Sequence, residues 1–328
     1  MPANIETMAY ARAGGVPWHG LGRAVDGARD SEAMIEAAGL AWSVKSVRLW
    51  AGPIAPVPGA EGTYPAQVEV PDYRAIRRSD TGAVLGVVGD GYQPLQNGDA
   101  FAFLDGLAQD RTIQYQTAGA LGGGRRVWAL AEVPDGAMTI AGDSFQTYML
   151  ITTGHDGAHA VNIQSTSVRV VCQNTLNAAL AGRSAQSFRF VHTRSLPERM
   201  AAASNALQFV SEQQRRLATF LERAAATDVE RATYCELEDQ LFGTEAERGP
   251  RVRNNLGRFR SVVGAEVARG GRTAYALVNG ITGYADHART MNLSTIAKRE
   301  ARLESTIDGG AATFKAQGLA FVRQLVSA

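Results

Sequence analysis

The sequence predicts an α+β fold: an antiparallel β-meander sheet covered by helices, followed by a helical C-terminal region. Three observations carry this. Between Thr112 and Val171 four strand-like segments follow one another, and no helical pattern interrupts them. A helical pattern precedes this run and another is expected after it, so helices can close one face of the sheet. From Leu196 the texture changes to apolar residues at three-four spacing. The expected organisation is an α+β sheet domain at 1–195 and a helical region at 196–328 packed on it, with no flexible linker between them.

Taken in order, residues 1–30 read as irregular, with scattered Gly and Pro. "DSEAMIEAAGLAW" reads as a short helix capped by Ser31 and ended by Gly39. "WSVKSVRLW" alternates as a strand does, and "AGPIAPVPGAEGTYP" is a Pro/Gly loop. The stretch from Val68 to Tyr92 reads as a hairpin turning at Ser79–Gly82. "NGDAFAFLDGLAQD" is a helix with Asn97 near its start and Phe101, Leu104 and Leu107 on one side. The four meander strands are "TIQYQTAGAL", "RRVWALAEV", "SFQTYMLITTGHDG" and "AVNIQSTSVRVV", the first two joined by the glycines at 122–124. In "STSVRVVCQNTLNAALAG" a strand is expected to hand over to a helix near Cys172. There Asn174 and Asn177 either cap the helix or form a polar shelf beside Arg169 and Arg183. "SFRFVHT" is a further strand. A long helix starts at Pro197, and Met200, Leu207, Val210, Leu217 and Leu221 form a partial heptad. That stripe packs on its own domain or forms a seam between subunits. Further helices are expected near 228–242, 252–269, 273–290, 296–307 and 311–326.

Composition narrows the class. The chain has 328 residues, 45% hydrophobic and 20% charged, as in soluble folded proteins. No run of about 18 apolar residues exists and the N-terminus lacks a secretory pattern, so the expected location is the cytoplasm of a bacterial host cell. Two distant Cys argue against a disulfide framework. Only three of the 33 basic residues are Lys. An Arg-rich genome bias explains this, and so does phosphate binding, for which Arg is suited. Between Glu247 and Arg272 seven Arg face two acids, and from Asn162 to Arg194 there are four Arg and no acid.

No nucleophile elbow, phosphate loop or dinucleotide fingerprint is present, so no cofactor is expected. "PWHGLG" at 17–22 reads as a Trp-plugged turn or as a site around His19. "HDGAH" gathers His155, Asp156 and His159, and "ADHART" holds Asp286 and His287. His19, His155, His159, His287 and Asp286 together would suit a metal-dependent nuclease, but nothing in the sequence places them in one site. Cys172 reads as buried and structural.

The motifs "VPWHGLG", "GYQPLQNGDAFAFLDGL", "VRVVCQNTLNAAL" and "VNGITGYADHART" appear in order from about Pro17 to about Phe321. In them the chain resembles the phage- and plasmid-related family defined by a domain of unknown function, DUF932. The departure is Asn279–Gly280, where the family pattern has asparagine-alanine. The resemblance implies a mobile-element context and no activity. By element order alone, the helix, meander and following helix also resemble single-strand annealing recombinases, which form rings and use no nucleotide.

The resulting expectation is a non-enzymatic protein that binds single-stranded DNA as a homo-oligomer. Arg125, Arg126, Arg169 and Arg183 would contact phosphates from the sheet, with Asn174 and Asn177 at the shelf. Arg251, Arg253, Arg258 and Arg260 would do so from the helices, and Tyr92, Tyr115, Trp128 and Phe259 would offer stacking surfaces. The alternatives are the metal-dependent nuclease and a module that binds a host protein, as in counter-defence. No membrane is involved in any of them.

Overall fold

The computed structural model describes residues 5–11, 23–25, 30–52, 67–107, 114–169, 174–177, 187–202, 206–289 and 310–327. Eleven strands are described. They are β1 (Ile5–Ala11), β2 (Arg23–Val25), β3 (Val44–Ala51), β4 (Val68–Arg78), β5 (Val84–Gly89), β6 (Gln114–Leu121), β7 (Arg126–Ile140), β8 (Asp143–Gly154), β9 (Val161–Arg169), β10 (Asn174–Asn177) and β11 (Ser187–Phe190). The helices are α1 (Ser31–Ala37), α2 (Asn97–Leu107), α3 (Leu196–Ala202), α4 (Ala206–Ala226), α5 (Arg231–Phe242), α6 (Pro250–Gly270), α7 (Ala274–Gly283) and α8 (Gly310–Ser327). A π-helical turn, Tyr284–Ala288, continues α7. Among the described residues no helix is long and apolar enough to cross a membrane.

The α+β class is the one expected, with antiparallel sheets and helices in the C-terminal region. The meander β6–β9 is the middle of a sheet ordered β10-β9-β8-β7-β6-β1-β2, and β11 also pairs with β9. All its pairings are antiparallel except β1 with β2. Strand β6 is buried at every residue after Gln114, which explains its small apolar sequence: both of its faces are covered. A second sheet, β3-β4-β5, packs with α1 and α2 on one face of the large sheet. Trp42, Ile76, Leu85, Val88, Phe101, Leu104 and Tyr115 share that core.

Strands β7 and β8 form the longest hairpin. At about 3.3 Å per residue β7 alone reaches roughly 45 Å. Its turn is Ala141–Gly142, both at positive φ (49° and 79°), the backbone that joins right-twisted strands tightly. The hairpin therefore outruns the first core and enters a second one. Ile140 and Phe145 are buried there with Leu221, Leu237, Phe259, Leu277 and Tyr284 of the helices. Asp143, just after the turn, is buried; it accepts a 2.7 Å hydrogen bond from the Tyr275 hydroxyl and pairs with Arg269. Deeper in the helices Lys315 is fully buried, 2.7 Å from Asp286.

Some elements depart from the sequence reading. Asp30, not Ser31, caps α1, its carboxylate accepting from the Ala33 N–H at 2.8 Å. Gly39 ends that helix as expected, at φ +64°. Asn174–Asn177 is a strand on the edge of β9, not a helix start. Its backbone N–H groups face a ladder, so the phosphate-binding helix end expected there is absent. Residues 178–186 and the helix expected at 296–307 lie outside the described residues. The long helix is described as α3 and α4, and Pro197 does fall in its first turn. Met200 is buried in the sheet core and Leu221 in the helical core, so at these two positions the heptad stripe serves this chain's own packing.

Gly280 on α7 faces α6. A Cβ there would stand 3.1 Å from the Val263 Cα and closer still to its Cγ2. Glycine at position 280 is thus a packing requirement of this chain. Gly280→Ala should destabilise the protein by about 1–3 kcal/mol through overpacking, despite its better helix propensity. Asp143→Ala should cost about 2–4 kcal/mol, because Tyr275 and Arg269 lose their buried partner. Urea midpoints of the two variants and the parent check both; midpoints equal to the parent's would contradict the packing account.

Candidate nucleic-acid interface

The β3-β4-β5 sheet has one face in the core and one in solvent. Directly opposed residues share a face. Ile76 opposes Ser46 and Gly86, and Val44 opposes Arg78; these point inward. Lys45 opposes Arg77, which in turn opposes Val84; Val47 opposes Ala75, which opposes Val87; Tyr73 opposes Gly89. These rows form the outer face. Tyr73 is 51% exposed, Val84 57% and Val87 50%, and Trp50, beyond a bulge in β4, is 50% exposed. Of the six large hydrophobics exposed among the described residues, only Val191 lies outside this sheet. Neither Lys45 nor Arg77 pairs with a carboxylate; Arg77 donates from Nε to the Gly82 carbonyl at 3.1 Å. Farther along, Glu69 engages Arg48 at 3.4 Å and Arg74 at 3.9 Å.

The inner end of this sheet meets the turns of the large sheet. Arg78 is buried, bonded to both Asp80 oxygens (2.7 and 2.9 Å), and stacked 4.2 Å over the Trp42 ring. It also donates to the Gly123 carbonyl at 3.3 Å, which ties the β6–β7 turn in place. Asp80 is held below its usual carboxylate pKa by the Arg78 guanidinium.

Three histidines gather beside this junction. His155 is fully buried, with its ring edge-on to Trp42. The Asn97 amide nitrogen donates to the Leu40 and Trp42 carbonyls, so its oxygen must accept, at 3.1 Å, from His155 Nε2. That leaves His155 Nδ1 as a lone pair, buried without a partner. His192 donates from Nδ1 to the Gln93 carbonyl at 3.0 Å and stacks on Tyr92. His159 is fixed from both sides: Nδ1 donates to Asp156 at 3.1 Å and Nε2 accepts from Arg126. Burial pushes His155 down to about 4, with His192 and Arg78 contributing, and also lowers His192.

The Arg residues singled out in the sequence do not form one groove. Arg125 is exposed in the β6–β7 turn and has no acidic partner among the described residues. Arg126 is instead engaged with His159. Arg169 opposes Phe145, near the hairpin tip, and Asn174 opposes Arg169. That is the other end of the sheet, roughly 30 Å along the strands from Arg125. The side chains of Arg169, Asn174 and Asn177 lie outside what is described, and so do Arg183, Cys172 and the PWHGLG segment with His19. On α6, Arg251 and Arg258 are exposed and unpaired. Arg253 lies 3.7 Å from Glu245, and Arg260 grips Glu238 with two bonds of 2.8 and 2.5 Å.

The stacking set is corrected. Tyr115, Trp128 and Phe259 are at most 2% exposed, and Tyr92 spends its hydroxyl on the Gly154 carbonyl at 2.7 Å. They are core residues; Tyr73 and Trp50 are the exposed aromatics, and alternation along the hairpin was the available signal for Tyr73, whereas Trp50, in phase with the buried Trp42, is turned out beyond the β4 bulge. The nuclease set is not assembled either. His155 and His159 lie at the turns, whereas Asp286 is held by Lys315 in the helical core. Among the described residues no group of three His, Cys, Asp or Glu is placed to hold a metal ion.

A family model described as "Domain of unknown function (DUF932)" matches residues 84–312. The match opens in β5 and closes in α8, so it includes the meander and the helices; β3 and β4 precede it. No curated protein and no solved structure matches the chain.

The buried His155 has a consequence for stability. Its folded pKa lies below the unfolded value of 6.5, so the unfolded chain binds the proton more readily. Stability contributed by the neutral ring is complete above about pH 6.5 and is lost as pH falls toward 4. The loss is roughly 3 kcal/mol over that window. Urea unfolding at pH 7.5 and pH 5 should show it, and His155→Gln should flatten the difference. A parent protein equally stable at both pH values would refute the assignment.

Proposed function

The chain belongs to the DUF932 family, and on that premise we propose that it is a phage or plasmid protein that binds single-stranded nucleic acid without a nucleotide cofactor. The strand lies on the outer face of β3-β4-β5. One observation carries the reading: Tyr73 stands exposed on the same face as the opposed pair Lys45 and Arg77, neither of which is neutralised by an acid. A strand needs a ring to stack on and cations that track its phosphates, and this face offers both. Arg125 extends the positive charge past the β6–β7 turn, while the α6 cations Arg251 and Arg258 would serve a second contact. Annealing by an oligomer is the mode the reading favours, since a strand bound by its backbone keeps its bases available for pairing.

A second reading has its own observation. Val84 and Val87 add apolar area that nucleic acid does not require, and a host protein would cover it. The counter-defence or structural role rests on those two valines.

Fluorescence anisotropy of a labelled single strand and its duplex, at two salt concentrations, separates the readings. The single strand should bind more tightly, with log affinity falling linearly in log salt. Tyr73→Ala should weaken it roughly tenfold, as loss of a stacked base does. Lys45→Ala/Arg77→Ala should reduce the salt slope by about 1.4. Absence of binding to either form at micromolar protein would discard this function and leave the protein-partner reading.

A further inference from the structure

A pocket of about 240 Å³ opens between α5 and α6, away from the β3-β4-β5 face. Chain geometry assembles it. Asp228 and Thr273 form an antiparallel bridge, flanked by bonds from the Val229 N–H to the Arg272 carbonyl (2.8 Å) and from the Ala274 N–H to the Thr227 carbonyl (2.9 Å). This bridge puts Arg231, at the start of α5, and Arg272, just before α7, on one rim. Both are exposed and neither has an acidic partner. The third cation there, Arg260, is already neutralised by Glu238. Phe259 and Val263 give the floor.

Two details show an unfilled site rather than a surface dimple. Tyr234 lines the pocket, and its hydroxyl is buried with no hydrogen-bond partner among the described residues. Such a group costs free energy until something bonds it. Gly264 sits in the middle of α6, where glycine is a poor helix former, and a Cβ there would meet nothing within 4 Å. Its missing side chain keeps the space open.

We propose that this pocket binds a nucleotide bearing a terminal phosphate monoester, the ring against Gly264 and Val267 and the phosphate between Arg231 and Arg272. Two unpaired guanidinium groups match a monoester, which carries about −1.5 to −2 at pH 7, better than a singly charged internal phosphodiester. The volume lies just under the roughly 300–1,000 Å³ of drug-sized ligand sites, so it admits one nucleotide and not two. The monoester comes either from the 5′ end of a strand or from a free nucleotide. The first source rests on the single-strand reading above.

The test uses the full chain and three probes: 5′-phosphorylated oligothymidylate, the same strand without its phosphate, and thymidine 5′-monophosphate. The phosphorylated strand should bind at least tenfold more tightly than the bare one. That gain should vanish in Arg231→Ala/Arg272→Ala and in Gly264→Leu, whose Cβ meets nothing within 4 Å; unfolding midpoints verify that each variant is folded. Binding of the monophosphate, lost in the same variants, identifies a free nucleotide as ligand, and it would stand even if no strand bound. Equal affinity for both strands together with no monophosphate binding overturns the pocket assignment. In that outcome, salt-dependent binding of the bare strand still leaves the sheet interface in place.

Discussion

The attachment of the sheet to the helices depends on one buried carboxylate. Asp143 sits just past the tightest turn of the longest hairpin and takes bonds from Tyr275 and Arg269. A carboxylate out of water is costly unless its lone pairs are filled, so the two partners specify where the hairpin tip docks. The register of β7 and β8 follows from that anchor. So does the arrival of Ile140 and Phe145 in the helical core. The close approach of α6 and α7 at Gly280 then holds the surface on which Arg269 and Tyr275 are presented.

The opposite end of the same hairpin is organised by neutral imidazoles beside the Arg78–Asp80 ion pair. His155 and His192 are buried without a charge, and Asn97 sets the His155 tautomer. The short turns there lock against Arg78, which stacks on Trp42. Because that junction is rigid and internally satisfied through Asp80 and the Gly123 carbonyl, it needs no outside anion. Charge directed at a partner is displaced to the outer face of β4, one residue away, at Arg77. Strand alternation alone separates a structural arginine from a surface one.

Arginine abundance therefore means several things in one chain. Arg78 and Arg248 are buried and bonded within the fold, and Arg260 and Arg269 complete ion pairs. Arg125, Arg231, Arg251, Arg258 and Arg272 are the described arginines of the turn and of the α5–α6 region left for a ligand. The two sites proposed lie on different bodies of packing, the β3-β4-β5 face and the α5–α6 pocket, and each joins cations with an aromatic residue.

Much of the fold was legible in the sequence because it rests on local periodicity. The alternation of the meander, the β4–β5 hairpin and the helices from Pro197 onward are written in residues a few positions apart. The strand at Asn174–Asn177 was not, since Asn and Thr cap a helix as readily as they line an edge, and only the open edge of β9 selects between these. The site was less legible than the fold. Tyr115 and Trp128 carry the same stacking chemistry as Tyr73 and Trp50, and their burial is decided by which strand becomes central. Arg269 and Asp143 are 126 residues apart in sequence and in contact in space. What the sequence determined by itself was the set of elements and the inventory of cations and rings. Which of those groups are spent inside the fold, and which remain for another molecule, was decided only by tertiary structure, because burial and ion pairing depend on partners distant along the chain.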